Sequence, residues 1–368
     1  MIAFFIGGGT GGATAPVLAV GEALAKLHPG SRFYLIGNNG IEKKMIAKNH
    51  LSFVYLSIPA GKWRRYFSLM NFVDLFKIFF GFIKSIRLIS KYRPDVIFGA
   101  GSFVQVPVAF AAYLKKVPIV IHQPDFQVLL STRLVVPMAR AVTVSFSGTE
   151  KDMPEFSGLF KKTKRSKIHT TGNPVRKEIF GGTKERAVKI FNLNGDYPVL
   201  LAMGGSQGSA RLNEIIQKAA PELTKYVQII HVKGNKAGKG QAGFQHPHYQ
   251  AHEYLGADLR DAYAAADIVI SRAGISTIAE LSALGKAAII VPLPHSPQEI
   301  NAEFLAVTKS AVVVFEEFLT EELAVKLVRK VLWNKEAQET MKKNITALFP
   351  KDADKRIAKI ISNIYAGK

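Results

Sequence analysis

Short, unbroken apolar runs alternate with long helical stretches, and they do so twice along the chain. In the first half the runs are Ile2–Ile6, Arg32–Ile36, Val96–Phe98, Ile119–Ile121 and Val142–Val144. In the second they are Val199–Met203, Val227–His231, Ile268–Ile270 and Ala288–Val291. A strand apolar on both faces must be covered on both, and in a parallel sheet the crossover helices do the covering. The pattern predicts an α/β protein of two Rossmann-like domains, and 368 residues suffice for two cores. Between the halves, "KKTKRSKIHTTGNPVRKEIFGGTKER" has little apolar surface to give to a core. The domain boundary is expected there, with residues 1–163 as the first domain and 164–349 as the second. A C-terminal helix over about 350–368 is expected to pack back on the first domain.

Glycine loops follow the first strand of each half. "GGGTGG" begins at Gly7, and "GGSQGSARLNEIIQ" follows Val199–Met203 and runs into a helix. Glycines allow close backbone approach, and a helix N-terminus offers N–H groups and partial positive charge to an anion. Both loops are phosphate-binding candidates; a tight strand–helix turn is the plainer account of each. A formal net charge of +21 asks for an anionic partner: phosphorylated ligand, nucleic acid or anionic lipid. Neither loop ends in Gly-Lys-Ser/Thr, which excludes a P-loop NTPase. Gly7, Gly9 and Gly12 have dinucleotide-type spacing, but "GNNGIEKK" after Ile36 lacks the acid such a fold needs directly at the strand end. No module interleaving aromatic and basic residues supports nucleic-acid binding. Without cysteine, disulfides and thiolate metal sites are out. The first apolar run is short and lacks a basic leader, unlike a secretory signal.

The stretch from Ser271 to Leu305, "SRAGISTIAELSALGKAAIIVPLPHSPQEINAEFL", discriminates better. A helix opening at Gly274 carries Glu280 about two turns in, and the loop after Pro292 carries His295, Gln298, Glu299 and Asn301. Carboxylates and amides gathered at the C-terminal ends of strands are how an α/β domain grips ribose and sugar hydroxyls.

Seven segments, in order, then point one way: "GGGTGG", "KYRPDVIFGAGSF", "IHQPD", "TGNPVR", "GGSQGSARLN", "AYAAADIVISRAGISTIAE" and "PLPHSPQEINA". Together they resemble the GT-B glycosyltransferases of family 28 type, and among them the bacterial enzymes that add N-acetylglucosamine to lipid I. The resemblance implies two Rossmann-like domains facing a cleft. The donor UDP-N-acetylglucosamine would lie in the C-terminal domain and the lipid-linked acceptor in the N-terminal one. It implies an inverting transfer without metal or cofactor, on the cytoplasmic face of the bacterial plasma membrane, making lipid II for peptidoglycan. By position, Thr10, Gly11 and Gly12 would line the cleft, and Arg176 and Ser206 would meet the diphosphate. Leu255 and the segment Ile275, Ser276, Thr277, Ile278, Ala279 and Glu280 would contact uridine, with Glu280 on the ribose. Gln298 would read the sugar hydroxyls. The only Asp-x-Asp, Asp352 and Asp354, reads as a solvated helix face rather than a metal motif.

Three departures stand out. The family carries His where this chain has Ala13, Glu-Gln-Asn where it has Gln123, Pro124 and Asp125, and Gly-Gly-Tyr where it has Gly101, Ser102 and Phe103. The first removes an imidazole from the middle of the expected site. A positioned base is worth ~10²–10⁴-fold in such a reaction. Either Ala13 replaces the family's histidine, or another group such as His122 or Asp125 takes the proton. His122 follows a buried strand and reads equally as site or scaffold.

Residues 63–93 form an amphipathic helix of unusual width. Phe72, Phe76, Phe79 and Ile83 share one face, Leu75, Ile78 and Phe82 widen it, and Lys77, Lys84, Arg87 and Lys91 run along its edge. Asp74, Lys77 and Lys84 interrupt it too often for a membrane span. The pattern fits a helix lying on anionic lipid, and a core-packing helix is the alternative.

Overall fold

The structure, a computed structural model, describes residues 1–9, 11–47, 53–61, 70–154, 167–205, 208–234 and 244–367. The expectations for Thr10, Ser206, residues 63–69 and the ends at the 163/164 boundary lie outside them. The chain divides into two compact units, Met1–Arg176 with Pro350–Lys368, and Lys177–Phe349.

The first unit runs β1 (Ile2–Ile6), α1 (Gly11–Leu27), β2 (Arg32–Gly37), α2 (Ile41–Ala47), β3 (Phe53–Ser57), α3 (Met70–Tyr92) and β4 (Val96–Gly99). It continues with α4 (Gln105–Leu114), β5 (Ile119–Gln123), α5 (Leu130–Val135), β6 (Ala141–Val144) and β7 (Ile168–Thr170). Its seven parallel strands are ordered β3-β2-β1-β4-β5-β6-β7. Alternation along β1 assigns the two faces. Phe4 and Ile6 pack with Ile97, Ile121 and the Val104–Ala112 side, whereas Ala3 and Phe5 pack with Val17, Val20 and Leu24 of α1. Both faces are covered, which is why the strands read as continuous apolar runs.

The second unit runs α6 (Lys184–Ile190), β8 (Val199–Met203), α7 (Ala210–Leu223), β9 (Gln228–Val232), β10 (Tyr249–His252), α8 (Leu259–Ala265) and β11 (Ile268–Ser271). There follow α9 (Ile275–Leu284), β12 (Ala288–Ile290), α10 (Gln298–Val307), β13 (Val312–Val313), α11 (Glu321–Trp333) and α12 (Lys335–Leu348). Its parallel sheet is ordered β10-β9-β8-β11-β12-β13. In both sheets the order reverses beside the first strand, between β1 and β4 and between β8 and β11. Ligands of open α/β sheets bind at such points, beyond the strands' C-terminal ends. Both glycine loops are there.

The last helix, α13 (Ala353–Ala366), returns to the first unit. Its Ile357, Ala358 and Ile361 join the core beside α1, and His28 Nε2 lies 2.8 Å from Ser362 Oγ. The boundary falls at 176/177 rather than 163/164, because Ile168–Thr170 adds a seventh strand to the first sheet. The solvated-face expectation needs correction at one of its two acids: Asp354 is buried against the first unit. Among the described residues no three His, Cys, Asp or Glu side chains are grouped to hold a metal.

Candidate functional site

In the second unit the expected donor residues gather beyond the C-terminal ends of the strands. Gly204 and Gly205 leave β8, Leu255 follows β10, α9 begins four residues after β11, and Gln298 opens α10 after β12. Gly208 has φ +74, and a Cβ there would come within 2.5 Å of the Lys233 carbonyl, so the glycine loop can close on the end of β9 only with glycine. Asn213 of α7 donates to the same Lys233 carbonyl at 2.9 Å and accepts the contact of His231 Nε2 at 3.1 Å. Burial drives the His231 pKa down from 6.5 to about 3, so this imidazole stays neutral and structural.

Glu280 is buried on α9, where Tyr263 Oη donates to its Oε2 at 2.9 Å. Ile275, Ile278 and Ala279 are buried, whereas Ser276 and Thr277 keep partial exposure at the helix N-terminus. The Ser276 Oγ is enclosed, with no protein hydrogen-bond partner among the described residues. Gln298 Oε1 accepts from Leu293 N at 3.1 Å, and its Nε2 lies 4.0 Å from where a Cβ on Gly274 would stand. The amide expected to read sugar hydroxyls is therefore set against the N-terminus of α9.

Two further side chains hold this edge together: Arg272, which sequence reasoning did not single out, and Asn301, which it placed in the loop after Pro292. Arg272 is buried and donates to the Val291 carbonyl at 3.2 Å and the Pro292 carbonyl at 2.9 Å. It also bonds Ser209, the N-cap of α7, and Glu316. One guanidinium thus ties three strand-end loops at fixed spacing, a use suited to its rigid fork. Asn301 donates to the Ala273 carbonyl at 3.2 Å and anchors α10 to the turn before α9. The signal for Arg272 in the sequence was position only: it lies inside a quoted motif, just before the segment expected to touch ligand.

In the first unit Gly11, Gly12 and Ala13 form the first turn of α1 rather than a loop, and each is half-buried. The glycine loop before them packs against the loop after β4. Gly8 and Gly9 have φ +119 and +84, and a Cβ on either would come within 2.9 Å of Val104 or Phe103. Position 13 is thereby presented on a helix end beside the switch point.

His122 is fully buried at the end of β5. Its Nδ1 lies 2.9 Å from Thr143 Oγ1, and its Nε2 lies 3.2 Å from Asn173 Oδ1 and 3.1 Å from Ser145 Oγ. Burial lowers its pKa to about 4. With both nitrogens engaged internally, this imidazole is scaffold, linking the "IHQPD" and "TGNPVR" segments. Gln123 shapes the next loop, donating to the Asp125 and Gln127 carbonyls, both at 2.8 Å. Asp125 is half-buried in that loop, and Arg176 is half-buried after β7.

The N-terminal half of α3 turns its apolar side chains outward, while Phe82, Ile86, Leu88 and Tyr92 pack half-buried against the core. Asp74, Gly81, Ser85 and Ile89 face the core, while Phe72, Val73, Leu75, Phe76, Phe79 and Phe80 are exposed. Asp74 bonds Lys77 at 3.1 Å, and a Cβ on Gly81 would stand 2.1 Å from the Pro59 carbonyl. Ile83 and Lys77 are half-buried and Lys84 is exposed. No described helix is long and apolar enough to cross a membrane.

Residues 3–144 match the family model "Glycosyltransferase family 28 N-terminal domain", and residues 199–357 match "Glycosyltransferase family 28 C-terminal domain". A protein of Lachnoclostridium phytofermentans is 37% identical over 344 residues, covering 92% of each chain. One of Legionella pneumophila is 34% identical over 363 residues, covering 97% of this chain and 95% of its own. Both are named UDP-N-acetylglucosamine--N-acetylmuramyl-(pentapeptide) pyrophosphoryl-undecaprenol N-acetylglucosamine transferase. The crystal structure of Acinetobacter baumannii MurG superposes with a TM-score of 0.71 at 22% identity, covering 98% of this chain and 99% of that one.

Proposed function

The chain belongs to glycosyltransferase family 28, and from that premise we propose its reaction: transfer of N-acetylglucosamine from UDP-N-acetylglucosamine to the muramoyl sugar of lipid I, giving lipid II. The acceptor hydroxyl attacks the anomeric carbon, the bond to the diphosphate breaks, and UDP leaves with the electron pair while a base takes the hydroxyl proton. A single displacement inverts the anomeric centre.

Each role falls to a group of suitable chemistry. The second unit takes the donor. Uracil pairs with the backbone at Leu255, the ribose diol with Glu280, and the sugar hydroxyls with Gln298. Negative charge on the leaving diphosphate is met by the N-terminus of α9, by the glycine loop with Ser206, and by Arg176. The first unit takes the acceptor, with Gly11, Gly12 and position 13 beside the attacking oxygen and Asp125 as the remaining carboxylate. The observation that carries the donor assignment is the meeting of Gln298, Ser276 and the α9 N-terminus on one sheet edge, with Glu280 of α9 held by Tyr263 of α8. The exposed phenylalanines of α3 rest on anionic bilayer, which brings the enzyme to a lipid-anchored acceptor at the cytoplasmic face of the plasma membrane.

Calorimetry with UDP-N-acetylglucosamine, GDP-mannose and ADP-glucose tests the donor half, and label transfer to lipid I tests the whole. Equal affinity for ADP-glucose overturns the donor assignment. Donor binding without any transfer, even after position 13 is restored to histidine, overturns the reaction.

A further inference from the structure

Beside the exposed phenylalanines lies an open groove of about 610 Å³, lined by Pro59, Phe80, Ile83, Lys84, Arg87 and Leu88. That size falls within the roughly 300–1,000 Å³ of ordinary ligand sites. Its character is divided: a proline, a phenylalanine and two aliphatic side chains form an apolar floor, and two cations stand one helical turn apart beside it. No lining residue is acidic. The only acid on α3, Asp74, is buried and paired with Lys77, so nothing on the helix neutralises Lys84 or Arg87 locally. Gly81 lets α3 close on the Pro59 carbonyl beside the groove, since a Cβ there would stand 2.1 Å from that oxygen.

We propose that this groove seats one anionic phospholipid, its phosphate between Lys84 and Arg87 and its acyl chain over Pro59, Phe80, Ile83 and Leu88. The proposal rests on the reading of α3 as a membrane face, and adds to it a saturable site for a single lipid. Charge complementarity selects the occupant. A fork of guanidinium and ammonium suits a phosphate, and the adjoining apolar floor suits a chain, which free phosphate lacks. A lipid held there fixes the rotation of the first unit on the bilayer, which the apolar face alone leaves undetermined.

The test uses the full-length protein and dihexanoyl phosphatidylglycerol below its micelle concentration, followed by calorimetry. Saturable binding is expected with one lipid per chain, with much weaker binding of dihexanoyl phosphatidylcholine and none of inorganic phosphate. Lys84→Gln with Arg87→Gln should lower the affinity ~10-fold or more at unchanged melting temperature, since each surface cation contributes measurably to anionic-lipid binding. Ile83→Trp, which fills the groove and keeps both charges, should also weaken it. Absence of saturation, or equal binding of the neutral lipid, overturns the site. Tighter binding of a short polyprenyl diphosphate overturns the phospholipid as occupant. Vesicle sedimentation of the parent protein separates the two readings: vesicle binding without short-chain binding removes the groove and leaves the membrane face standing.

Discussion

Position 13 shows how little a side-chain deletion need disturb. Alanine there sits in the first turn of α1, demands no special backbone angle and favours the helix. If the donor is held as proposed, by the second unit and Arg176 rather than by position 13, Ala13→His should raise kcat by ~10²-fold or more and change KM little, the pattern of an interaction made in the transition state. Steady-state kinetics with lipid I reads this directly; an unchanged kcat moves the base to Asp125. The buried imidazoles act on stability instead. His122 and His231 are held at about 4 and about 3, below the usual 6.5. As pH falls from about 6.5 toward 4, the unfolded chain binds protons that the folded chain refuses, so stability is full above that window and is lost within it. Thermal melting at pH 7 and pH 5 should show the drop. His122→Gln should shrink the drop while lowering the pH 7 value, because the Thr143, Ser145 and Asn173 network loses its centre. His122 was ambiguous in the sequence for a physical reason: a histidine at a strand end looks the same whether it faces ligand or core.

Among the elements, the strands missing from the sequence reading share one trait. Phe53–Ser57, Ile168–Thr170, Tyr249–His252 and Val312–Val313 are the outer strands of the two sheets. An outer strand is covered less, so its residues need not be apolar, and the run that betrays a central strand is absent. That is also why the domain boundary was set too early. The expected donor residues could be named from the sequence because strand ends, glycine loops and amides coincide there; Arg272 and Tyr263 could not, because what they hold is distant in sequence. Tyr263→Phe should weaken UDP binding about 3–10-fold by releasing Glu280, roughly one hydrogen bond, and calorimetry with UDP reads it. The wide apolar arc expected of α3 divides in the structure: Phe72, Leu75, Phe76 and Phe79 are exposed, whereas Ile78, Phe82 and Ile83 are half-buried and Phe82 packs against the core. Phe72→Ser, Phe76→Ser and Phe79→Ser together should cut sedimentation with anionic vesicles at least several-fold. The melting temperature should hold, since no core contact is lost. A collapse of the melting temperature instead would mean that these rings support the core.

On the scale of the whole molecule, the first unit is built from both ends of the chain. Ile357 and Ile361 are fully buried against the face that α1 covers. Deleting residues 350–368 would expose about 3–6 kcal/mol of aliphatic burial, a large part of the ~5–15 kcal/mol that holds a domain. Calorimetric melting of the truncated chain should show the first unit's transition lowered or lost, while UDP still raises the melting temperature of the second. The second unit, Lys177–Phe349, is in topological terms an insertion within the first. On the ribosome, then, the order of completion is reversed relative to the order of synthesis: the amino-terminal sheet waits, the face it shares with α1 only partly covered, until α13 has emerged. A nascent chain stalled before residue 350 would carry a finished second unit and an unfinished first unit, and chaperone attachment should persist on the earlier-made half.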